Sequence, residues 1–82
     1  MRADLQAQVD LKVDEVRRLL SRVGNPVAFG HAFIWGCVPV FLKNGKKKLI
    51  ETCIGSVCTD DLEGCLKVAR SHGIENPWYN MD

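Results

Sequence analysis

The stretch "FLKNGKKKLIE" (Phe41–Glu51) decides how the rest of the chain is read. Asn44-Gly45 lies between apolar runs, and these two residue types accept the positive φ that tight hairpin turns require. Residues 37–43 and 46–58 are therefore expected to form the arms of an antiparallel hairpin. With a two-residue turn, Lys43 sits opposite Lys46, Phe41 opposite Lys48 and Pro39 opposite Ile50. Lys47 then points to the other face with Leu42, Val40 and Leu49. A three-residue turn with a bulge shifts the register by one and leaves only Lys46 and Lys48 together. Pro39 has no N–H to donate, so the first arm is expected to be an edge strand or to bulge there.

Upstream, residues 27–35 alternate in size. Val27, Phe29, His31, Phe33 and Trp35 are bulky, and Ala28, Gly30, Ala32 and Ile34 separate them. Period two argues for a strand whose small side lets a helix come close and whose aromatic side lies in the core. The rival is a helix capped at Asn25, with Pro26 in its first turn and Gly36 at its end.

The N-terminal segment reads as a helix. Leu5, Val9, Val13, Val16, Leu20 and Val23 recur at spacings of 4, 4, 3, 4 and 3, a one-sided apolar stripe. Leu11 falls off that stripe, so the first turns are expected to fray or the helix to start near Asp10. Gly24, followed by Asn25-Pro26, marks the stop. Arg17, Arg18 and Arg22 lie off the stripe, with Asp14 and Glu15 spaced to pair with Arg18.

A second helix is expected over residues 60–72. Thr59 or Asp60 caps it, Leu62, Cys65, Leu66 and Ala69 form its apolar face, and Gly73 closes it with Ile74 against Ala69. The tail "NPWYNMD" is too apolar for a solvated end and is expected to pack on the body or on a partner. The fold class is α+β: one domain over residues 1–82, an N-terminal helix, an antiparallel sheet of two to three strands with the Asn-Gly hairpin, and a C-terminal helix. The expected order is α-β-β-β-α, with α-α-β-β-α as the alternative.

The 82 residues carry a net charge of +1, unevenly placed. Residues 1–50 hold nine basic and four acidic side chains, a balance of +5, and residues 51–82 hold two basic and six acidic, a balance of −4. A dedicated nucleic-acid binder carries a larger basic excess. The longest apolar run, residues 27–42, is shorter than the ~20 residues a membrane span needs. The N-terminus has no apolar signal-peptide core, so a cytoplasmic protein with reduced thiols and no membrane contact is expected.

No motif fixes a chemistry. Cys37, Cys53, Cys58 and Cys65 lack the close C-x2-C spacing of a zinc knuckle, so no metal and no cofactor are expected. No nucleophile, base and orienting group fall together, so no catalytic residue is assigned. The preferred reading is a small non-enzymatic binding protein, an inhibitor, adaptor or regulatory subunit, that acts by contact with a protein partner. Its candidate binding residues are Lys43, Lys46, Lys48, Arg17, Arg18, Arg22, Trp78 and Tyr79. One alternative is an RNA- or DNA-binding module that uses the basic hairpin and the helix arginines. Another is a small nuclease or hydrolase with His31 as acid and base. A domain this small gains buried area from a second copy, so a homodimer is a further expected state.

Overall fold

The computed structural model describes residues 2–28 and 30–81, the side chains of residues 2 and 3 excepted. Along the chain run α1 (Arg2–Leu20), β1 (Ala32–Phe41), β2 (Lys47–Val57), α2 (Leu62–Ser71) and β3 (Glu75–Met81). The α+β class stands, with an N-terminal helix, a second helix and a three-stranded antiparallel sheet built on the hairpin. The place of the third strand differs: it is the tail after α2, so the elements run α-β-β-α-β. The separate strand expected at residues 27–35 does not form. Its second half joins the hairpin arm in β1, while Val27, Ala28, Gly30 and His31 stay exposed ahead of it. Phe29, expected in the core, lies outside the described residues.

The sheet order is β2-β1-β3, so β1 is the inner strand. Pro39 is therefore not on an edge strand. It is tolerated because β3 last pairs at Cys37 with Glu75, so no strand needs the missing N–H beyond that point. The edge left bare there is closed at Phe41 by Gln8 of α1. The Gln8 side-chain carbonyl accepts from the Phe41 N–H at 2.8 Å, and its amide donates to the Phe41 carbonyl at 3.0 Å.

The helices cover one face of the sheet. Ala32, Ile34, Gly36, Val38 and Val40 of β1 point into it and are buried. Val9, Val13, Val16 and Leu20 of α1 meet them, as do Cys65, Leu66 and Ala69 of α2. The apolar stripe thus places α1 as expected, but the helix begins at Arg2, not near Asp10, and Leu11 is simply an exposed residue on it. Burial raises the pKa of the Cys65 thiol above its ordinary value and makes it a small core hydrophobe. The core side of β1 is the small and aliphatic side, not the aromatic one. The reason is close approach: a Cβ on Gly36 would collide with the Ile74 side chain, so only glycine admits the α2–β3 corner.

That corner is a Schellman motif. Ile74 N–H donates to Ala69 at 3.0 Å, Gly73 N–H to Arg70 at 3.3 Å, and Gly73 has φ 97°. At its other end α2 is capped by Asp61, whose carboxylate accepts from Gly64 N–H at 2.8 Å, not by Thr59 or Asp60. Those two residues stitch the linkers together. Thr59 donates its hydroxyl to the Val23 carbonyl at 2.8 Å, and Asp60 accepts from the Asn25 N–H at 2.8 Å.

Replacing Gly36 by alanine is expected to cost about 1–3 kcal/mol of unfolding free energy, the usual effect of overpacking, read by urea titration. A second expectation concerns acid. Hydrogen bonds from Asn25 hold the Asp60 carboxyl below the ordinary carboxylate range. A depressed folded pKa gives stability that is present above the unfolded value and lost as pH falls through the folded one. Asp60→Asn should therefore be less stable than the parent at neutral pH and converge with it as pH falls through the depressed folded-state pKa, seen in thermal melts against pH.

Candidate functional site: the open face of the sheet

Sheet residues alternate between two faces, and among the described residues the face away from the helices has no layer over it. It carries Phe33, Trp35, Cys37, Pro39 and Phe41 of β1. Cross-strand partners on β2 are Ser56, Cys53, Glu51, Leu49 and Lys47, and on β3 Asn80, Trp78 and Glu75. Two irregularities tune this face. Ile54 is an extra residue opposite the Ile34–Trp35 step, and its side chain turns fully into the core. Its carbonyl, displaced from the ladder, accepts from Arg17 Nε at 3.1 Å. On the other side Asn76 and Pro77 oppose Gly36 alone, with Asn76 at φ 51°.

At the centre of the face Trp35 and Trp78 stack, with ring centroids 5.7 Å apart and planes within 11°. Trp35 Nε1 donates to Asn80 Oδ1 at 3.1 Å. Trp78 Nε1 donates to Glu51 Oε2 at 3.1 Å, and Lys47 Nζ meets Glu75 Oε2 at 2.9 Å. The last two links join the edge strands β2 and β3 across the top of β1. The indole N–H groups are thus satisfied within the chain while much of the ring surface stays accessible; Trp78 is 42% exposed. Phe41 and Leu49 extend the apolar surface toward the hairpin.

The hairpin turn has three residues, Lys43, Asn44 and Gly45. Leu42 and Lys46 close it through a 2.9 Å bond, and Gly45 alone takes positive φ, 83°. The register that places Lys43 opposite Lys46 and Phe41 opposite Lys48 is therefore corrected: Phe41 pairs with Lys47 and Val40 with Lys48. Register follows the hydrophobic pattern, because this pairing puts Ile50 beside Val38 on the core side. Lys46 and Lys48 share one face, and Lys47 lies on the open one.

The expected basic residues do not converge. Lys43 lines an apolar cleft of about 660 Å³ between the turn and the start of α1, with Asp4 and Leu5. Arg17 lies at Ile54, about 26 Å along β2 from Lys46. Arg18 is exposed on the same end of α1, and Arg22 follows its last turn. Arg17 sits 3.9 Å from Asp14, and Lys12, not Arg18, pairs with Glu15 at 2.8 Å. Trp78 is on the open face, whereas Tyr79 pairs with Ile34 and so turns to the other side at the sheet edge.

Trp35, Glu51 and Asn80 are the functional candidates that sequence reasoning missed. The size alternation marked Trp35 but placed it inside; nothing local marks Glu51 or Asn80, which matter only through register. His31 is exposed ahead of β1, and His72 is the C-cap of α2. Among the described residues no group of three or more His, Cys, Asp or Glu side chains converges to hold a metal, and no helix is long and apolar enough to cross a membrane. Comparison of the chain with protein-family models, curated proteins and solved structures gives no match.

A Trp35→Ala, Trp78→Ala double-mutant cycle should return a coupling energy of about 0.5–1.5 kcal/mol in unfolding free energy, the size expected for an aromatic pair beyond its burial.

Proposed function

We propose that the protein is a non-enzymatic binding module, an inhibitor, adaptor or regulatory subunit, that grips a protein partner with the open face of its sheet. The supporting observation is the Trp35–Trp78 stack, held by hydrogen bonds within the chain yet left without a covering layer. Tryptophan is among the side chains that dominate interface energetics when desolvated. Ordered rings also lose little conformational entropy on contact.

The charge on this face selects the partner's chemistry. Lys47 is paired with Glu75, whereas Glu51 has no ion-pair partner among the described residues. An arginine in an apolar surface suits this site, since a guanidinium stacks on an indole and bonds a carboxylate at once. The same carboxylates speak against a phosphate backbone on this face. The separation of the hairpin lysines from Arg17, Arg18 and Arg22 removes the continuous basic path that nucleic acid requires.

The test is calorimetry with a partner isolated on the purified chain and then made recombinantly. Trp78→Ala should weaken binding at least about tenfold, with a smaller loss for Glu51→Gln, while a Lys43, Lys46, Lys48→Glu triple variant binds as before. Full binding by Trp78→Ala rejects the face. Salt-sensitive retention of single-stranded RNA that disappears in the triple lysine variant instead favours the nucleic-acid alternative. Turnover of any substrate that is lost in His31→Ala favours the enzyme.

A further inference from the structure

We infer that the outer edge of β2 pairs with β2 of a second copy of this chain, in one register centred on Leu49. This edge is separate from the open face, because its hydrogen-bonding groups point in the plane of the sheet. Lys46 directs its carbonyl to Leu42, just past β1. Strand residues alternate in this respect, so the N–H and C=O groups of Lys47, Leu49, Glu51 and Cys53 point away from β1. No described residue bonds them. The chain itself closes only the far end of the edge, where Arg17 takes the Ile54 carbonyl. The bare edge of β1 is closed by Gln8, and the other outer edge, on β3, is interrupted by the bulge at Asn76 and by Pro77, which has no N–H, so β2 is the longer regular edge for a strand to join.

The sequence of β2 selects both the occupant and the register. In an antiparallel pair of identical strands about a two-fold axis, outward-pointing residues must face outward-pointing residues, so one residue faces its own copy. If Lys48 does so, like charges meet at the centre. If Glu51 does so, two carboxylates meet. With Ile50 at the centre, Leu49 faces Glu51 and Lys47 faces Cys53, and no charges pair. With Leu49 at the centre, Lys47 faces Glu51 of the second copy at two symmetric places, Leu49 faces Leu49, Lys48 faces Ile50 and Lys46 faces Thr52. Opposite charges directly across strands are favourable and like charges unfavourable, so the edge complements itself in this register alone. Lys47 and Glu51 both lie on the open face, and Leu49 between them is 39% exposed. Glu51 bonds Trp78 through Oε2, which leaves Oε1 for the second copy's Lys47. That lysine reaches across β1 to Glu75 in the single chain and turns outward on pairing, giving up an exposed ion pair worth about 0–1 kcal/mol. The product is a six-stranded sheet with one continuous open face carrying both tryptophan pairs.

Sedimentation equilibrium over a wide concentration range tests this. The mass should rise from 9.2 kDa toward twice that value with concentration. Lys47→Glu and Glu51→Lys should each raise the dissociation constant at least about tenfold, and the combined swap should restore it to within about threefold. The swap also sets a carboxylate at position 47 against Glu75 and removes the one that holds Trp78, so recovery cannot come from a repaired monomer. Leu49→Lys, which puts two cations at the centre, should abolish association while far-UV circular dichroism shows the fold intact. A mass of 9.2 kDa at every concentration overturns the inference. So does a dimer that is indifferent to Leu49→Lys or to the single charge changes, or single losses that the swap does not recover.

Discussion

The close approach of Ile74 to Gly36 is the contact on which the rest of the structure depends. Ile74 ends the Schellman turn of α2 and is almost fully buried against the middle of β1. It fixes where the chain turns back, and therefore where β3 begins beside β1. From that point register does the rest: Glu75 falls at Cys37, and Trp78 at Trp35. The tryptophan stack on the open face is thus a consequence of a packing contact on the opposite, covered face. A larger residue at position 36 would displace the corner and with it the alignment of the rings.

A three-stranded sheet covered on one side leaves half of its inner strand short of cover. This protein meets the shortage with its own side chains. Trp78 and Lys47 reach across β1 to partners on the opposite edge strand. The contributions are unequal. An exposed ion pair such as Lys47–Glu75 is worth about 0–1 kcal/mol, while the aromatic pair adds about 0.5–1.5 kcal/mol beyond the area it removes from water. The stack is therefore the main source of order on this face, and the polar links chiefly fix ring orientation. A surface ordered in the free protein has less entropy to lose on contact, which is why the same arrangement serves stability and recognition together.

Much of the fold was legible in local pattern. The valine-leucine stripe of α1, the stop of α2 at Gly73 and the site of the hairpin turn all depend on residues within a few positions of one another. What was not legible depends on which surfaces meet. Alternation at residues 27–35 showed that a helix would come close on the small side, as it does at Ala32 and Ile34, but the aromatic side, placed in the core, has no layer over it among the described residues. Gly36 resembled a break between two strands because its partner, Ile74, lies far along the sequence. β3 contains Pro77 and a bulge at Asn76, and it becomes a strand only by pairing with β1. The stack was hidden for the same reason: Trp78 was visible as an apolar tail residue, but Glu51 and Asn80 acquire meaning only once the register is known.

The lysine-rich hairpin is best understood through that register. Four lysines around a turn suggest one cationic patch, yet the three-residue turn divides them, and the arginines that would extend the patch sit at the far end of β2. Lysines on an edge strand oppose indiscriminate pairing because most alignments bring cations together or strand them against apolar neighbours. They do not oppose every alignment. Glu51 lies four residues beyond Lys47, with Leu49 midway, so those two positions are complementary in charge about that leucine. On the inferred pairing, Lys47 both guards the edge against other strands and meets Glu51 of the second copy in the one symmetric match, so protection and selectivity draw on the same residue.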